Sequence, residues 1–138
     1  MAHKITVAVD AMGGDFAPNA VLEGVKLALL EDPELEVHVL GPKEVVAPFA
    51  AANKGTIAVP TTEVIEMAEH PAQAVRAKKD SSIVVGCRLV KEGVAQGFFT
   101  AGSTGAGMAA ATLVIGRIRG INRPALATVI PAFKKASV

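Results

Sequence analysis

Phe98-Phe99-Thr100-Ala101-Gly102-Ser103-Thr104-Gly105-Ala106-Gly107-Met108 reads as a short buried strand, a loop of very small residues and the start of a helix. The apolar run closing over residues 96–100 carries two aromatics, which suit a strand. Gly102, Gly105 and Gly107 leave the backbone unshielded, and Ser103 or Thr104 can cap the helix by accepting a hydrogen bond from a free N–H. A helix start has donors without partners and the positive end of its dipole, so the pattern predicts an oxyanion or phosphate cradle over residues 100–107. The spacing is not that of a nucleotide motif. The glycines run G-x-x-G-x-G rather than G-x-G-x-x-G, and Met108 stands where a P-loop has lysine. The competing use of the same small residues is close packing of a helix on a sheet.

Upstream, strands and helices alternate. Residues 5–9 are a β-branched run that reads as a buried first strand. Asp10-Ala11-Met12-Gly13-Gly14-Asp15 follows as a turn at its carboxyl end, where open α/β sheets bind ligands. A helix is predicted over 18–31, with Val21, Leu22, Val25, Ala28 and Leu29 on one face and Asp32-Pro33 as its stop. Residues 35–40 alternate as a second strand, which puts His38 on the solvent side with Glu34 and Glu36. A helix over 43–53 contains Pro48, and a third strand runs over 56–59. Residues 62–67 read equally as strand or short helix. Pro71 opens another helix, and Asp80 or Ser81 caps the next, on whose apolar face Cys87 is a small buried thiol. Residues 106–115 read as a buried helix, 117–123 as a basic turn, 125–130 as a further strand, and 132–138 as a tail with no closing element.

This order predicts a doubly wound α/β fold, with a mostly parallel sheet and helices on both faces. The composition agrees: of 138 residues, 51% are hydrophobic while Trp and Tyr are absent, so Val, Ile, Leu and Ala must build the core. A net charge of +1 supplies no overall field for nucleic acid. A single cysteine fits an intracellular setting, and no stretch has the pattern of a secretion signal or a spanning helix. Three loops, 10–15, 76–82 and 100–107, are expected to converge at one sheet edge. They contain no Ser-His-Asp set and no metal-ligand spacing. Arg76, Lys78 and Lys79 place three cations in four positions beside Asp80-Ser81-Ser82, a second candidate anion site. Their other use is to complement a helix dipole, worth ~0.3–1 kcal/mol each.

Three segments carry a family resemblance. Val9-Asp10-Ala11-Met12-Gly13-Gly14-Asp15 with Ala17-Pro18 resembles the opening motif of bacterial phosphate acyltransferase, the acyl-acyl-carrier-protein:phosphate transacylase of phospholipid synthesis. Residues 71–82 match its next segment, and Thr100-Ala101-Gly102-Ser103-Thr104-Gly105-Ala106, continuing through Gly116-Arg117-Ile118 to Arg123-Pro124-Ala125-Leu126-Ala127, match a third. Thr100 and Ser103 stand where the family often has serine and asparagine. Family members are considerably longer, so the chain is expected to be the N-terminal portion of a single α/β catalytic domain, incomplete here.

The resemblance implies a sheet like that of isocitrate and isopropylmalate dehydrogenases. It implies transfer of a fatty acyl group from acyl carrier protein to inorganic phosphate, giving an acyl phosphate, with no cofactor. It further implies a cytosolic homodimer attached peripherally to the membrane. Because phosphate is the nucleophile, the protein need only hold a dianion and stabilise the carbonyl oxygen. Lys79, Ser103 and Thr104 are the candidate catalytic residues. Asp10, Gly13, Gly14, Asp15, Arg76, Lys78, Ser81, Gly102 and Gly105 are candidates for substrate or phosphate binding. Arg117, Arg119 and Arg123 are candidates to meet the acidic carrier protein. The alternative is a non-catalytic α/β module that binds a phosphorylated metabolite.

Overall fold

The computed structural model describes residues 4–131 and 136–137. Strands β1 (Thr6–Asp10), β2 (Glu36–Gly41), β3 (Thr56–Pro60) and β4 (Gly97–Phe99) form one all-parallel sheet in the order β3-β2-β1-β4. The helices are α1 (Asn19–Glu31), α2 (Lys43–Ala52), α3 (Pro71–Ala77), α4 (Ser82–Lys91) and α5 (Thr104–Ala110), the last followed by a π-helical turn over Ala111–Ile115.

Side chains alternate across a strand, so each strand serves two cores. On one face, Val9, Val37 and Val39 pack under Val25 of α1 and Val46 of α2. On the other, Ala8 and Leu40 pack under Val85, Leu89 and Val90 of α4. Helices therefore cover both faces, as expected for parallel strands joined by crossovers. A third cluster joins α4 to α3 and α5 through Val75, Ile83, Val84, Cys87, Ala106 and Ala110. Gly86 lets α4 settle on Phe98: a Cβ there would stand only 2.3 Å from the ring.

Four expectations need correction. His38 is not on a solvent face; it is only 8% exposed. It shares a face with Leu40, and α4 covers that face, so the polar alternation of residues 34–38 is not the signature of a half-exposed strand. Its Nε2 lies 3.3 Å from Glu36 Oε1, while Nδ1 has no partner among the described residues. Phe99 is not buried: β4 pairs only with β1, and at this sheet edge the ring is 53% exposed. The helix after the glycine loop is not enclosed either, since Met108, Leu113 and Ile115 are exposed. Residues 125–129 form no strand; Ile130–Pro131 instead pair antiparallel with Ala136–Ser137, a short closing element not expected in the tail. Residues 132–135 and 138 lie outside the described residues. The ambiguous stretch at 62–67 is neither helix nor strand, apart from a single bridge between Glu63 and Ser81.

Candidate functional site

The chain leaves β1 towards β2 and β3 on one side, then returns to place β4 on the other side of β1. The carboxyl ends of β1 and β4 thus flank the point where the strand order reverses, the usual ligand crevice of an open α/β sheet. The loops that follow these two strands are residues 10–15 and 100–103.

Register brings the two loops together. Val9 lies opposite Phe99, so the next residues, Asp10 and Thr100, are neighbours. Asp10 is 2% exposed. Its Oδ1 accepts a hydrogen bond from the Met12 N–H at 3.0 Å, and its Oδ2 accepts one from the Thr100 hydroxyl at 2.8 Å. Thr100 Oγ1 in turn accepts from the Gly102 N–H at 3.0 Å. One buried carboxylate therefore fixes the turn after β1 and, through Thr100, the turn after β4. Gly13 sits in the angle between them: a Cβ there would lie 2.7 Å from Gly102 N and from Thr100 Oγ1, and 2.9 Å from Asp10 Oδ2. Gly14 has φ +101°, in the region that disfavours a side chain, and rests against Ala101.

The clasp uses some of the donors that the sequence offered to an anion. The Gly13 N–H donates to Asp10 O at 3.4 Å, and the Gly102 N–H is held by Thr100. Ser103 is buried and its hydroxyl caps α5, accepting from the Ala106 N–H at 3.3 Å. Among the described residues the N–H groups of Gly14, Thr104 and Gly105 have no hydrogen-bond partner, and the Thr104 and Asp15 side chains are exposed. Gly105 also answers a packing need, because a Cβ there would stand 2.8 Å from Pro71 at the start of α3.

The basic segment is built differently from the sequence expectation. Lys78 is held in place: its ammonium donates to Val64 O at 2.6 Å and pairs with the Glu69 carboxylate. The hydrogen bond from Lys78 holds the Glu69 carboxyl below the usual range. Ser81 is fully buried, capping α4 through the Val84 N–H at 3.4 Å and donating to Lys78 O at 2.8 Å. The cap is therefore Ser81 and not Asp80. Asp80 accepts from the Thr62 hydroxyl and N–H, which lower its carboxyl from the ordinary value. Lys78, Asp80 and Ser81 thus tie residues 61–70 to the α3–α4 corner. Arg76 and Lys79 remain exposed, and among the described residues no hydrogen bond or ion pair joins them to the clasp.

The comparisons with known proteins fall on this framework. The sequence model of the fatty acid synthesis protein family matches residues 5–138. The chain belongs to this family. A phosphate acyltransferase of Desulfitobacterium hafniense strain Y51 is 52% identical over 131 residues, covering 93% of this chain and 39% of that protein. Phosphate acyltransferases of Leuconostoc mesenteroides (46% over 127 residues, 92% of this chain, 37% of that protein) and Ligilactobacillus salivarius (45% over 129 residues, 94% and 39%) are also similar. The chain spans less than two fifths of the length of these curated relatives. The clasp and both of its glycine turns lie inside the residues matched by the fatty acid synthesis family. Thr100 lies in the cradle predicted over residues 100–107, but its role as the link between the two turns appears only once β4 is known to pair with β1. Among the described residues, no helix is long and apolar enough to cross a membrane, and no group of three or more His, Cys, Asp or Glu is placed to hold a metal ion.

Proposed function

We propose that the cleft at the ends of β1 and β4 is the phosphate-handling part of an acyltransferase that moves a fatty acyl group from acyl carrier protein to inorganic phosphate. The observation that carries this reading is the Asp10–Thr100–Gly102 clasp, which fixes two glycine turns side by side at the reversal of strand order. The name of the relatives, phosphate acyltransferase, supplies the reaction class. In the step proposed, a phosphate oxygen attacks the thioester carbonyl carbon. The new C–O bond forms, the C–S bond breaks, and the proton given up by phosphate ends on the departing thiol. The products are an acyl phosphate and free carrier protein.

In this reading Thr104, Gly105 and Gly14 offer N–H groups to phosphate or to the carbonyl oxygen. Ser103 and Asp10 position the loops, and Arg76 and Lys79 are the cations left to neutralise the dianion. Lys78 and Ser81 keep the corner in shape. The strand order matches the first half of a doubly wound sheet, which supports a domain of the isocitrate dehydrogenase type completed by further sequence. The exposed Arg117, Arg119 and Arg123 suit an acidic carrier protein, and the apolar Met108, Leu113 and Ile115 suit a homodimer contact. A cytosolic protein attached peripherally to the membrane would meet both carrier and lipid. No cofactor enters the step.

The test is phosphate-dependent formation of acyl phosphate from long-chain acyl carrier protein, followed by 31P NMR on this chain and on one extended to the relatives' length. An acyl phosphate resonance from the extended chain is expected. Its absence from both, with each protein folded, would overturn the reading.

A further inference from the structure

Beside the clasp, a cavity of about 650 Å³ runs from Gly13, Gly14 and Ala101 along the space between α1 and the sheet, with Val7, Val9 and Val37 as its floor. We infer that this groove holds the alkyl chain of the acyl group, with the carbonyl end at the glycine turns. The inference rests on the acyltransferase reading and names the part of the site that recognises the chain.

Three features argue for an alkyl occupant. The floor and the helix wall are almost entirely hydrocarbon, and the polar residue in the lining, Asp15, stands at the mouth beside Gly13 and Gly14. Second, the wall is cut back where a chain would lie. Ala20, Gly24 and Ala28 recur every fourth residue and so fall on one face of α1, and all three line the cavity. A Cβ added at Gly24 would meet nothing within 4 Å. Third, the groove shares Gly13, Gly14 and Ala101 with the turns that the clasp holds. A chain lying in it would end where the proposed phosphate donors begin. An apolar groove that opens onto a fixed polar turn fits a molecule with one polar end and a long hydrocarbon tail. Phe16, 81% exposed at the mouth, gives that tail an aromatic surface on entry.

The physical consequence is a dependence of affinity on chain length. Each fully buried methylene tightens binding by about fourfold, and by roughly half of that effect where one side still faces water. The probes are octanoate, decanoate and dodecanoate at sub-micellar concentration, titrated into this chain by calorimetry, with amide NMR shifts locating the site. Dodecanoate should bind at least about tenfold more tightly than octanoate, with shifts along residues 17–28. Gly24→Leu projects a side chain into the groove without steric conflict. It should weaken dodecanoate by about tenfold or more while leaving the melting temperature no lower, since leucine favours a helix interior over glycine. The inference is overturned if affinity does not rise with chain length, or if Gly24→Leu leaves dodecanoate binding unchanged. It is overturned equally if a chain extended to the relatives' length loses the gradient, since the groove would then be a packing surface for the added sequence. Inorganic phosphate, titrated separately, keeps the two readings apart. Chain binding without phosphate binding removes the acyltransferase reading, whereas phosphate binding without a length gradient removes only this one.

Discussion

Replacing Thr100 with valine removes one hydroxyl, keeps the shape, and breaks both links of the clasp. That hydroxyl donates to Asp10 Oδ2 at 2.8 Å and accepts from the Gly102 N–H at 3.0 Å. A hydrogen bond to a charged group contributes about 1.5–3 kcal/mol and a neutral one about 1. Asp10 is buried and cannot turn to water, whereas Thr100 is half-buried, so solvent can reach part of what is vacated. The low end of the sum applies, about 2.5 kcal/mol, or roughly 6–12 °C in melting temperature for a domain of this size. Urea unfolding is the assay, because an unchanged slope with a lower midpoint isolates stability from any change in the unfolded state. Thr100→Ser keeps the hydroxyl and should recover most of the loss. A valine variant within about 0.5 kcal/mol of the parent would refute the reasoning, since the carboxylate would then be satisfied without the clasp.

Gly13→Ala drives a methyl group against Gly102 N and Thr100 Oγ1, each 2.7 Å away, and should cost about 1–3 kcal/mol in urea while abolishing phosphate-induced shifts in residues 100–105. Ser81→Ala removes the α4 cap and the bond to Lys78 O and should cost about 1–2 kcal/mol, with faster amide exchange at Val84. Burial pushes the Cys87 thiol from its ordinary 9.0 up to about 11, so a thiol reagent at pH 8 should react only after denaturant is added. The same shift has a sign in stability. Between pH 9.0 and about 11 the unfolded thiol has lost its proton and the folded one has not, so unfolding becomes easier as pH rises through that window, and Cys87→Ala should flatten the slope.

Much of the framework is legible because local signals and tertiary packing agree. The β-branched run before Asp10, the apolar stripe from Val21 to Leu29 and the Gly41-Pro42 stop each specify one element, and each is found there. His38 misleads because a strand covered on both faces loses the link between polarity and exposure. The strand expected at 125–130 has β-branched residues, but residues 125–129 pair with no strand among the described residues, and pairing, not propensity, makes a strand. In the site, Asp10 and the two glycine turns are visible in sequence as oddities at strand ends. The link from Thr100 to Asp10 is not, because it depends on a register between residues ninety apart. Lys78 reads as one of three free cations until Glu69, nine residues away across an irregular loop, is seen to hold it.

Phosphate is proposed to bind where β1 and β4 end. This binding is tested most directly by titrating inorganic phosphate into the isotope-labelled chain and following every backbone amide. Saturable shifts confined to Gly14 and residues 101–105, lost in Gly13→Ala, are the predicted result. Shifts that do not saturate, or that centre on Arg117, Arg119 and Arg123 instead, would contradict it.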